Sequence, residues 1–580
     1  LVEACRALHA IGAIVPRARG GDCYLDTDAL DEQVPPGELQ RRELASLPPE
    51  LRAHAAALAL LAPGVTLAEV EALFERLQRT ADRALFPLDP GAALEGLRAR
   101  GLAIEDAPSR TYRIASPLLQ AALAATLAPE AARRVHAAAA ACLQRPGAAP
   151  RDRRALLARL APHVAASGDR AGAARHYLEL GDRSRDAHDY VGAESVYSRA
   201  LELIDDAGDE LHARRARALM RYRAGRCENA LVDHARAGAL ARAAGDRALE
   251  AELLLDEATA LDWMGEHARS ADCLARARAL LGDRPEPRLR VRLLVGWGRS
   301  LWRREGARAG VPELERALAG ADALDEAARE VIYEDRIAAL VMLVFLLPAV
   351  GRVGDAEALA ARAIELCEQR GDRVHLMGVL NNRHVVSMRL GLPRRAIEDL
   401  EGADRIGREL GVPLLRYTAQ LGLADVHRRI GDRAAARRHA ELARAMERDG
   451  AAAGAQQSAA VLLVQILAAS GEPGPARELL GSIDRAGLVG EERILVRAME
   501  LALADADDGE AWDRLIGEAR VHAAAYLHDI VEQRGLAALR RGRRAEARAQ
   551  LELAEAEARE RDPCAAPRFR AAIRALEADA

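Results

Sequence analysis

The sequence predicts an all-α protein, an α-solenoid of antiparallel helix pairs that follows a small winged-helix-like domain with short β-hairpins. The main observation is a pattern of mostly small residues at positions i, i+4 and i+7 that returns every 40 residues. It starts at Ala356, Ala396, Ala436 and Ala476, and a glycine lies five residues before each start, at Gly351, Gly391, Gly431 and Gly471. Fixed periods of about 20 to 50 residues are typical of solenoids. Half of the chain is hydrophobic but only 3% is aromatic, so alanine and leucine must fill most of the core, which favours helices.

The spacing within the pattern is that of one helical face. Positions i, i+4 and i+7 lie on the same side of an α-helix, and small residues there let the second helix of a pair approach the first. The preceding glycine supplies the left-handed residue that ends the first helix. The pattern resembles the tetratricopeptide repeat, whose second helix carries Ala, an aromatic residue and Ala at this spacing. Its best match is Ala193-Tyr197-Ala200, and Ala230-His234-Ala237 is similar.

The repeats are expected to occupy residues 146–580, with an irregular entry and then about nine or ten helix pairs. Their predicted second helices carry the anchors Ala173, Ala193, Ala230, Ala271, Gly310, Ala356, Ala396, Ala436, Ala476, Ala511 and Ala547. Residues 337–350 form an apolar run of 14 residues, shorter than the roughly 20 that cross a bilayer, so we predict a helix buried within the array. The interval of 46 residues around it leaves room for an extra turn or a subunit contact.

The pattern of three helices followed by a hairpin in residues 36–145 predicts a winged-helix-like domain. We expect a helix from Pro49 to about Leu61, a second helix that starts with a capping box of Thr66 and Glu69, and a third over 91–100. Two strands at 102–104 and 112–114 would follow as a hairpin, and residues 13–15 and 23–25 would pair as another.

The third helix is the one that would contact DNA in a winged helix. Arg98 and Arg100 are its basic residues, and Glu95 opposes them. Because a phosphate-binding surface needs several basic contacts, we predict a structural linker instead of a DNA-binding domain.

Three segments of the first part of the chain carry a family resemblance. The segments LEGLRARGL (94–102), YRIASPLLQ (112–120) and RRVH (133–136) resemble the region that follows the ATPase core in bacterial signal-transducing ATPases of the STAND type. Ile114 and Ser116 stand where that family usually has Phe and His.

The resemblance implies that an ATPase core precedes Leu1, that residues 1–35 are its remnant, and that ATP binds only to that missing domain. It also implies an effector, which is a serine/threonine kinase or cyclase in front or a LuxR-type DNA-binding domain behind. Residues 544–580 predict two more amphipathic helices, so an effector in front is favoured.

Charge and composition exclude several partners. The formal net charge is −5, the isoelectric point is about 6.4, and acidic and basic residues are interspersed. We therefore expect no general nucleic-acid surface and no anionic-membrane surface. The seven cysteines are isolated, which is typical of reduced, buried thiols and of a cytoplasmic protein.

No motif for catalysis is present. The chain contains no lysine, so it cannot supply the phosphate-binding lysine of a P-loop or the strand lysine of a kinase. It has no H-E-x-x-H and no G-x-S-x-G motif either. We predict no active site, no cofactor and no metal within these residues.

The function that remains is binding to a partner. We predict that the repeats sense a protein, a peptide or a small inducer and couple its binding to an upstream ATPase or kinase. The upstream domains of the same protein are among the partners considered, and a homo-oligomer is left as an alternative. The alternatives are a free-standing scaffold or part of a LuxR-type regulator. Trp263, Trp297 and Trp302 fall in neighbouring repeats, where they either line a ligand groove or pack between helices.

Overall fold

Helices follow one another almost without interruption in the computed structural model, which describes residues 14–16, 23–25, 44, 47–61, 64–79, 84–106, 109–145, 152–450, 457–485, 488 and 490–578. The predicted all-α fold class is confirmed. In chain order the helices are α1 (Pro49–Leu60), α2 (Leu67–Gln78), α3 (Pro90–Ala99), α4 (Pro117–Ala124), α5 (Pro129–Leu143), α6 (Arg153–Ser167), α7 (Arg170–Asp186), α8 (Tyr190–Leu201), α9 (Ala207–Arg223), α10 (Cys227–Ala243), α11 (Arg247–Trp263), α12 (His267–Leu281), α13 (Pro287–Glu305), α14 (Ala307–Asp322), α15 (Glu326–Val331), α16 (Tyr333–Leu346), α17 (Val353–Arg370), α18 (Arg373–Arg389), α19 (Pro393–Leu410), α20 (Pro413–Ile430), α21 (Arg433–Arg448), α22 (Ser458–Ala469), α23 (Pro473–Gly481), α24 (Gly490–Leu503), α25 (Gly509–His522), α26 (Leu527–Arg540), α27 (Arg544–Arg561) and α28 (Ala566–Ala578).

Short strands occur only near the start of the described chain. They are β1 (Ile14–Pro16), β2 (Cys23–Leu25), β3 (Val65–Thr66), β4 (Ala103–Asp106) and β5 (Thr111–Ile114). Strands β1 and β2 pair antiparallel, with Ile14 opposite Leu25, as predicted. Strands β4 and β5 form the predicted second hairpin. The two-residue strand β3 adds to β5 and gives a three-stranded sheet of order β3-β5-β4, which the sequence did not predict.

The chain divides into two units, a smaller one of Leu1–Arg183 with Arg199–Asp205 and a larger one of Ser184–Ser198 with Asp206–Ala580. In the smaller unit, α1 begins with Pro49 at its first position, and α2 begins with the predicted capping box between Thr66 and Glu69. Helices α1 to α5 and the sheet share one core, which includes Leu51, Phe74 and Leu97. Helices α1 to α3 with the three-stranded sheet are consistent with a small winged-helix-like region.

The larger unit contains nine successive helix pairs among its described residues. The pairs are α9/α10, α11/α12, α13/α14, α16/α17, α18/α19, α20/α21, α22/α23, α24/α25 and α26/α27. The short helix α15 and a 3-10 turn at Leu347–Val350 lie between α14 and α17, and they account for the longer interval there. Most of the apolar run at 337–350 lies in α16, the helix that we predicted to be buried, which ends at Leu346.

The small residues of the repeat pattern lie on the second helices of the pairs and are inaccessible to solvent. Fully buried positions include Ala193, Tyr197, Ala200, Ala230, Ala356, Ala396, Ala436 and Ala476. The preceding glycines have positive φ angles, +84° at Gly351, +75° at Gly391, +89° at Gly431 and +80° at Gly471. Each glycine lies in the turn where the first helix of its pair has ended, a conformation that costs glycine little.

The anchor Gly310 lies very close to the first helix of its pair. A Cβ atom at this position would lie 2.6 Å from the carbonyl oxygen of Gly298 on the preceding helix and 2.8 Å from Cβ of Trp302. Alanine therefore does not fit where the other second helices carry it. None of the helices that the structure describes is long and apolar enough to cross a membrane.

Candidate functional site

Helices of the larger unit that are far apart in the chain come into contact. Leu414, at the start of α20, shares a hydrophobic cluster with Cys227 of α10, and Trp263 of α11 packs against it. Arg223 of α9 donates to Glu334 of α16 over 3.1 Å. We call the surface formed by polar side chains of these and other first helices the interior face. The helices that contribute to it are α9, α11, α13, α16, α18, α20, α24 and α26.

One ion-pair network joins α9, α11, α13 and α16 on the interior face. Arg292 of α13 is its centre, with Nη2 2.7 Å from Asp256 and Nε 3.1 Å from Asp335. Arg292 also donates to Glu252 over 3.1 Å, and Arg215 of α9 donates to the same carboxylate over 2.7 Å. The partners lie 36 to 43 residues apart, which is about one repeat.

The carboxyl groups of this network are desolvated although water still reaches them. Burial raises the pKa of Asp335 against the opposing charge of Arg292, while the side chain stays 22% exposed. Burial also opposes ionisation of Asp256, but the charges of Arg292 and Arg215 hold its pKa below the ordinary value. Bulk water screens such desolvated charges poorly, and because they remain partly exposed, a ligand can still reach them.

A second network joins α20 to the last helices of the array. Arg428 makes two bonds to Asp529 of α26, with Nη1 2.7 Å from one oxygen and Nη2 2.9 Å from the other. Arg429 donates to Asp425 over 2.7 Å and to Asp562, after α27, over 2.9 Å. The network therefore fixes the position of α20 relative to the end of the array.

Two neutral side chains lie beside this second network. Burial raises the pKa of the Tyr526 hydroxyl, and the negative charges of Glu491 and Asp425 raise it further. Burial lowers the pKa of His384 on α18, so its imidazole is neutral at pH 7. The interior face thus offers hydrogen-bonding groups as well as charges.

The three tryptophans predicted to line a groove or pack between helices lie in three separate clusters. Trp263 packs with the Leu414 cluster, and Trp297 packs against the cluster of α11 and α12 that includes Leu274. Trp302 packs edge-to-face on Phe345, with ring centroids 5.5 Å apart, and the guanidinium of Arg303 lies 4.0 Å above its ring. Of the three, Trp302 is the one that touches an exposed charge.

The charged residues of the interior face were not identified from the sequence. In a chain that is 29% charged, a single Arg or Asp on a helix looks like any other solvated residue. The sequence did carry a signal of the first network, because charges of opposite sign alternate at intervals of about one repeat. These residues are Arg215, Glu252, Arg292 and Asp335. Partners such as Arg428 and Asp529, 101 residues apart, leave no such signal.

The described residues contain no group of three or more His, Cys, Asp or Glu side chains that could hold a metal ion. Five cysteines from Cys142 onward are free; four of them are buried, and Cys142 is half-buried. Burial raises the pKa of Cys227, Cys273 and Cys564 to about 11, so these thiols are protonated and unreactive at neutral pH.

The fold defines an α-solenoid of tetratricopeptide-like helix pairs. No known family model matches the chain, and no curated protein is similar to it in sequence. Among solved structures, a STAND protein with a tetratricopeptide repeat sensor from Pyrococcus horikoshii has 12% identity and a TM-score of 0.40 over 77% of this chain. The match covers 64% of that protein, so this chain spans less than two thirds of its length.

Two further solved structures are similar over about two thirds of this chain. A Rap protein complexed with competence and sporulation factor has 11% identity and a TM-score of 0.42, over 66% of this chain and 98% of that one. Aspartyl phosphate phosphatase F from Bacillus subtilis has 10% identity and a TM-score of 0.35, over 66% of this chain and 92% of that one. All three proteins are too distant to indicate what this chain binds.

Proposed function

We propose that this chain is a non-catalytic regulatory and protein-interaction module that takes a protein segment or peptide on its interior face. The observation that carries the proposal is the ordered, desolvated charge of this face. Arg292, for example, has three carboxylate partners and keeps 16% of its side-chain surface exposed. Side chains that are already held in place lose little conformational entropy when a partner binds.

The kind of partner follows from the distribution of charge. Both signs alternate along the face, as Arg215, Glu252, Arg292 and Asp335 do. A nucleic-acid backbone needs a surface of one sign, whereas a polypeptide can match both signs with its own side chains. A peptide or protein segment is therefore the better fit.

The chain is further proposed to couple this binding to an upstream ATPase or kinase within a longer bacterial signalling protein. The support is the resemblance of residues 94–136 to the STAND family, together with a winged-helix-like region in which the basic residues at the end of α3, Arg98 and Arg100, already have hydrogen-bond partners. Arg98 pairs with Glu95 and with Glu105, each over 3.3 Å, which neutralises the surface that would meet DNA. A linker that transmits a conformational change between domains needs no DNA-binding surface.

Hydrogen exchange tests the proposed binding surface. The full chain is used to select peptides from a random library, and exchange is then compared with and without the best binder. Protection should rise in first helices such as α18 and α20 more than in second helices such as α19 and α21. Protection confined to second helices, or a library that yields no binder, contradicts the proposal.

The linker role has its own test. The full chain, titrated into fluorescent duplex DNA at low salt, should leave the anisotropy unchanged, because Arg98 is neutralised. In the longer protein, adding the selected peptide should change the rate of nucleotide hydrolysis by the upstream domain. Tight DNA binding contradicts the linker assignment, and an unchanged hydrolysis rate contradicts the coupling.

A further inference from the structure

A cavity of about 190 Å³ lies between α10, α11 and α12 in the larger unit. All three helices contribute to its walls, and the residues that matter for its chemistry are His234, Gly238, Leu253, Leu254, Glu257 and Arg276. A second cavity of about 280 Å³ adjoins it and shares Glu250 and Arg276 with it. Arg276 therefore borders both cavities.

The cavity is separate from the interior face, although α11 takes part in both. The residues that α11 contributes to the cavity are Glu250, Leu253, Leu254 and Glu257. Their spacing of i, i+3, i+4 and i+7 places them on one side of the helix. Glu252 and Asp256, which belong to the interior network, lie roughly 130° away around the helix axis, because an α-helix turns by about 100° per residue. A ligand in the cavity would leave the interior face free.

His234 explains why there is space between these helices. It stands in Ala230-His234-Ala237 at the position that Tyr197 fills in the best repeat match, and Tyr197 is fully buried. The smaller imidazole is 5% exposed, and its Nδ1 has no hydrogen-bond partner among the described residues. A buried polar atom without a partner is costly, so a ligand that bonds to it would remove a penalty.

Gly238, one turn after His234 on α10, opens the same wall. A Cβ atom there would have Nη1 of Arg242, at 3.7 Å, as its one described neighbour within 4 Å. The position therefore has room for a side chain that the sequence does not supply.

The cavity carries one unmatched charge of each sign. Arg242 and Glu250 neutralise each other at its edge, where their charged groups are 3.1 Å apart. Glu257 is half-buried and Arg276 is exposed, and neither forms an ion pair or a hydrogen bond with another described residue. A carboxylate that needs a cation and a guanidinium that needs an anion thus line one small cavity.

The size and the apolar part of the cavity limit the ligand further. Leu253 and Leu254 are 2% and 3% exposed and form an apolar wall beside the charges. The volume of about 190 Å³ is below the range of about 300–1,000 Å³ that is usual for drug-sized ligands. A small molecule with both charges and an aliphatic group fits these features.

We propose that this cavity binds a free amino acid with an aliphatic side chain. The ammonium group would pair with Glu257 and the carboxylate with Arg276, while the side chain packs on Leu253. Burial lowers the pKa of His234, so its imidazole is neutral at pH 7 and can accept a hydrogen bond from the ammonium group. The inference goes beyond the proposed peptide binding and does not depend on it.

Isothermal titration calorimetry of the full chain tests the ligand class. Leucine, isoleucine, valine and methionine are titrated separately at pH 7. The best binder is then compared with its primary amide, which lacks the carboxylate, and with the corresponding acid that lacks the amino group. Each of these two compounds should bind at least about 10-fold more weakly, because one charged group of the cavity stays unpaired.

Two charge variants locate the contacts. Glu257→Gln should remove the preference for the amino acid over the acid without an amino group, and Arg276→Gln should remove the preference over the amide. The matched controls are Asp272→Asn and Arg278→Gln on α12, which are exposed and lie outside the cavity. Both controls should bind like the wild type.

Two further variants fill the cavity without removing a charge. His234→Tyr restores the ring that Tyr197 provides in its own repeat, and it should abolish binding while the circular dichroism spectrum stays that of the wild type. Gly238→Ala adds a methyl group to the wall and should weaken binding, whereas its thermal midpoint should rise because alanine favours a helix. A loss of binding in this more stable variant cannot come from unfolding.

Three results would overturn the inference. The first is that none of the four amino acids binds with a dissociation constant below about 10 mM, which would mean that the cavity holds only water. The second is equal binding of the amino acid, the amide and the acid without an amino group. The third is unchanged binding in both His234→Tyr and Gly238→Ala, which would place the site elsewhere. The peptide proposal is tested by protection of first helices such as α18 and α20, so either proposal can fail without the other.

Discussion

Arg428 and Asp529 form a buried, two-pronged ion pair that joins α20 to α26, helices whose paired residues are 101 positions apart. The two side chains are only 7% and 2% exposed. A solenoid needs contacts only between neighbouring repeats. This pair adds a long-range contact, so the last repeats of the larger unit are held by more than their immediate neighbours.

Removing the charge of Asp529 should loosen the end of the array. Asp529→Asn removes the buried carboxylate that Arg428 and Arg568 share and leaves them only Asp425 and Glu532 as partners, so we expect a loss of about 3 kcal/mol in the free energy of opening α26. Hydrogen exchange of the α26 amides measures this quantity. The control Asp505→Asn removes a carboxylate that is 97% exposed and should cost less than about 1 kcal/mol. Equal effects of the two substitutions would show that the buried pair contributes no more to stability than an exposed carboxylate does.

Two glycine substitutions should change stability in opposite directions. Gly310→Ala places a methyl group 2.6 Å from a backbone oxygen of α13, and we expect a loss of about 2 kcal/mol from overpacking. Gly517→Ala, within α25, meets no atom within 4 Å and should gain about 0.5–1 kcal/mol through helix propensity. Urea unfolding followed by circular dichroism measures both. A stable Gly310→Ala protein would mean that α13 and α14 can move apart without cost.

Tyr197 is the aromatic residue of the best repeat match and is fully buried. Tyr197→Ala should cost about 3 kcal/mol, because it leaves a cavity where an aromatic ring was packed. Hydrogen exchange should accelerate in residues 155–245 and stay unchanged beyond α18. Val191→Ala, on the same helix but 61% exposed, serves as the control and should leave exchange as in the wild type. Unchanged exchange in Tyr197→Ala would contradict the role of Tyr197 in packing.

The repeat array could be predicted because its determinants are local. The i, i+4, i+7 spacing and the glycine before it act within one helix pair, so the sequence shows them directly. The start of α1 at Pro49 and the capping box at Thr66 are local for the same reason. Strand β3 could not be predicted, because Val65 and Thr66 are too few residues to show an alternation.

The interior face could not be predicted to the same extent. Which side chains become partners depends on how successive pairs rotate relative to one another, and small differences per pair add up along the array. The contact of Leu414 with Cys227 and the pair of Arg223 with Glu334 follow from that accumulated geometry.

The smaller unit should lose stability as the pH falls from about 6.5 toward 4, because His163 is buried as a neutral group. Its Nδ1 lies 2.8 Å from Nδ1 of His136, and burial together with the charges of His136 and Arg159 lowers its pKa to about 4. An unfolded chain binds a proton near pH 6.5, so between these values the unfolded state holds more protons and acid favours it. The full effect is about 3 kcal/mol, since one pKa unit corresponds to roughly 1.4 kcal/mol. NMR titration should place the His163 midpoint near pH 4, and His163→Asn should flatten the pH dependence of unfolding in this range. A midpoint near 6.5 would show that the two imidazoles are solvated and that the pair does not respond to pH.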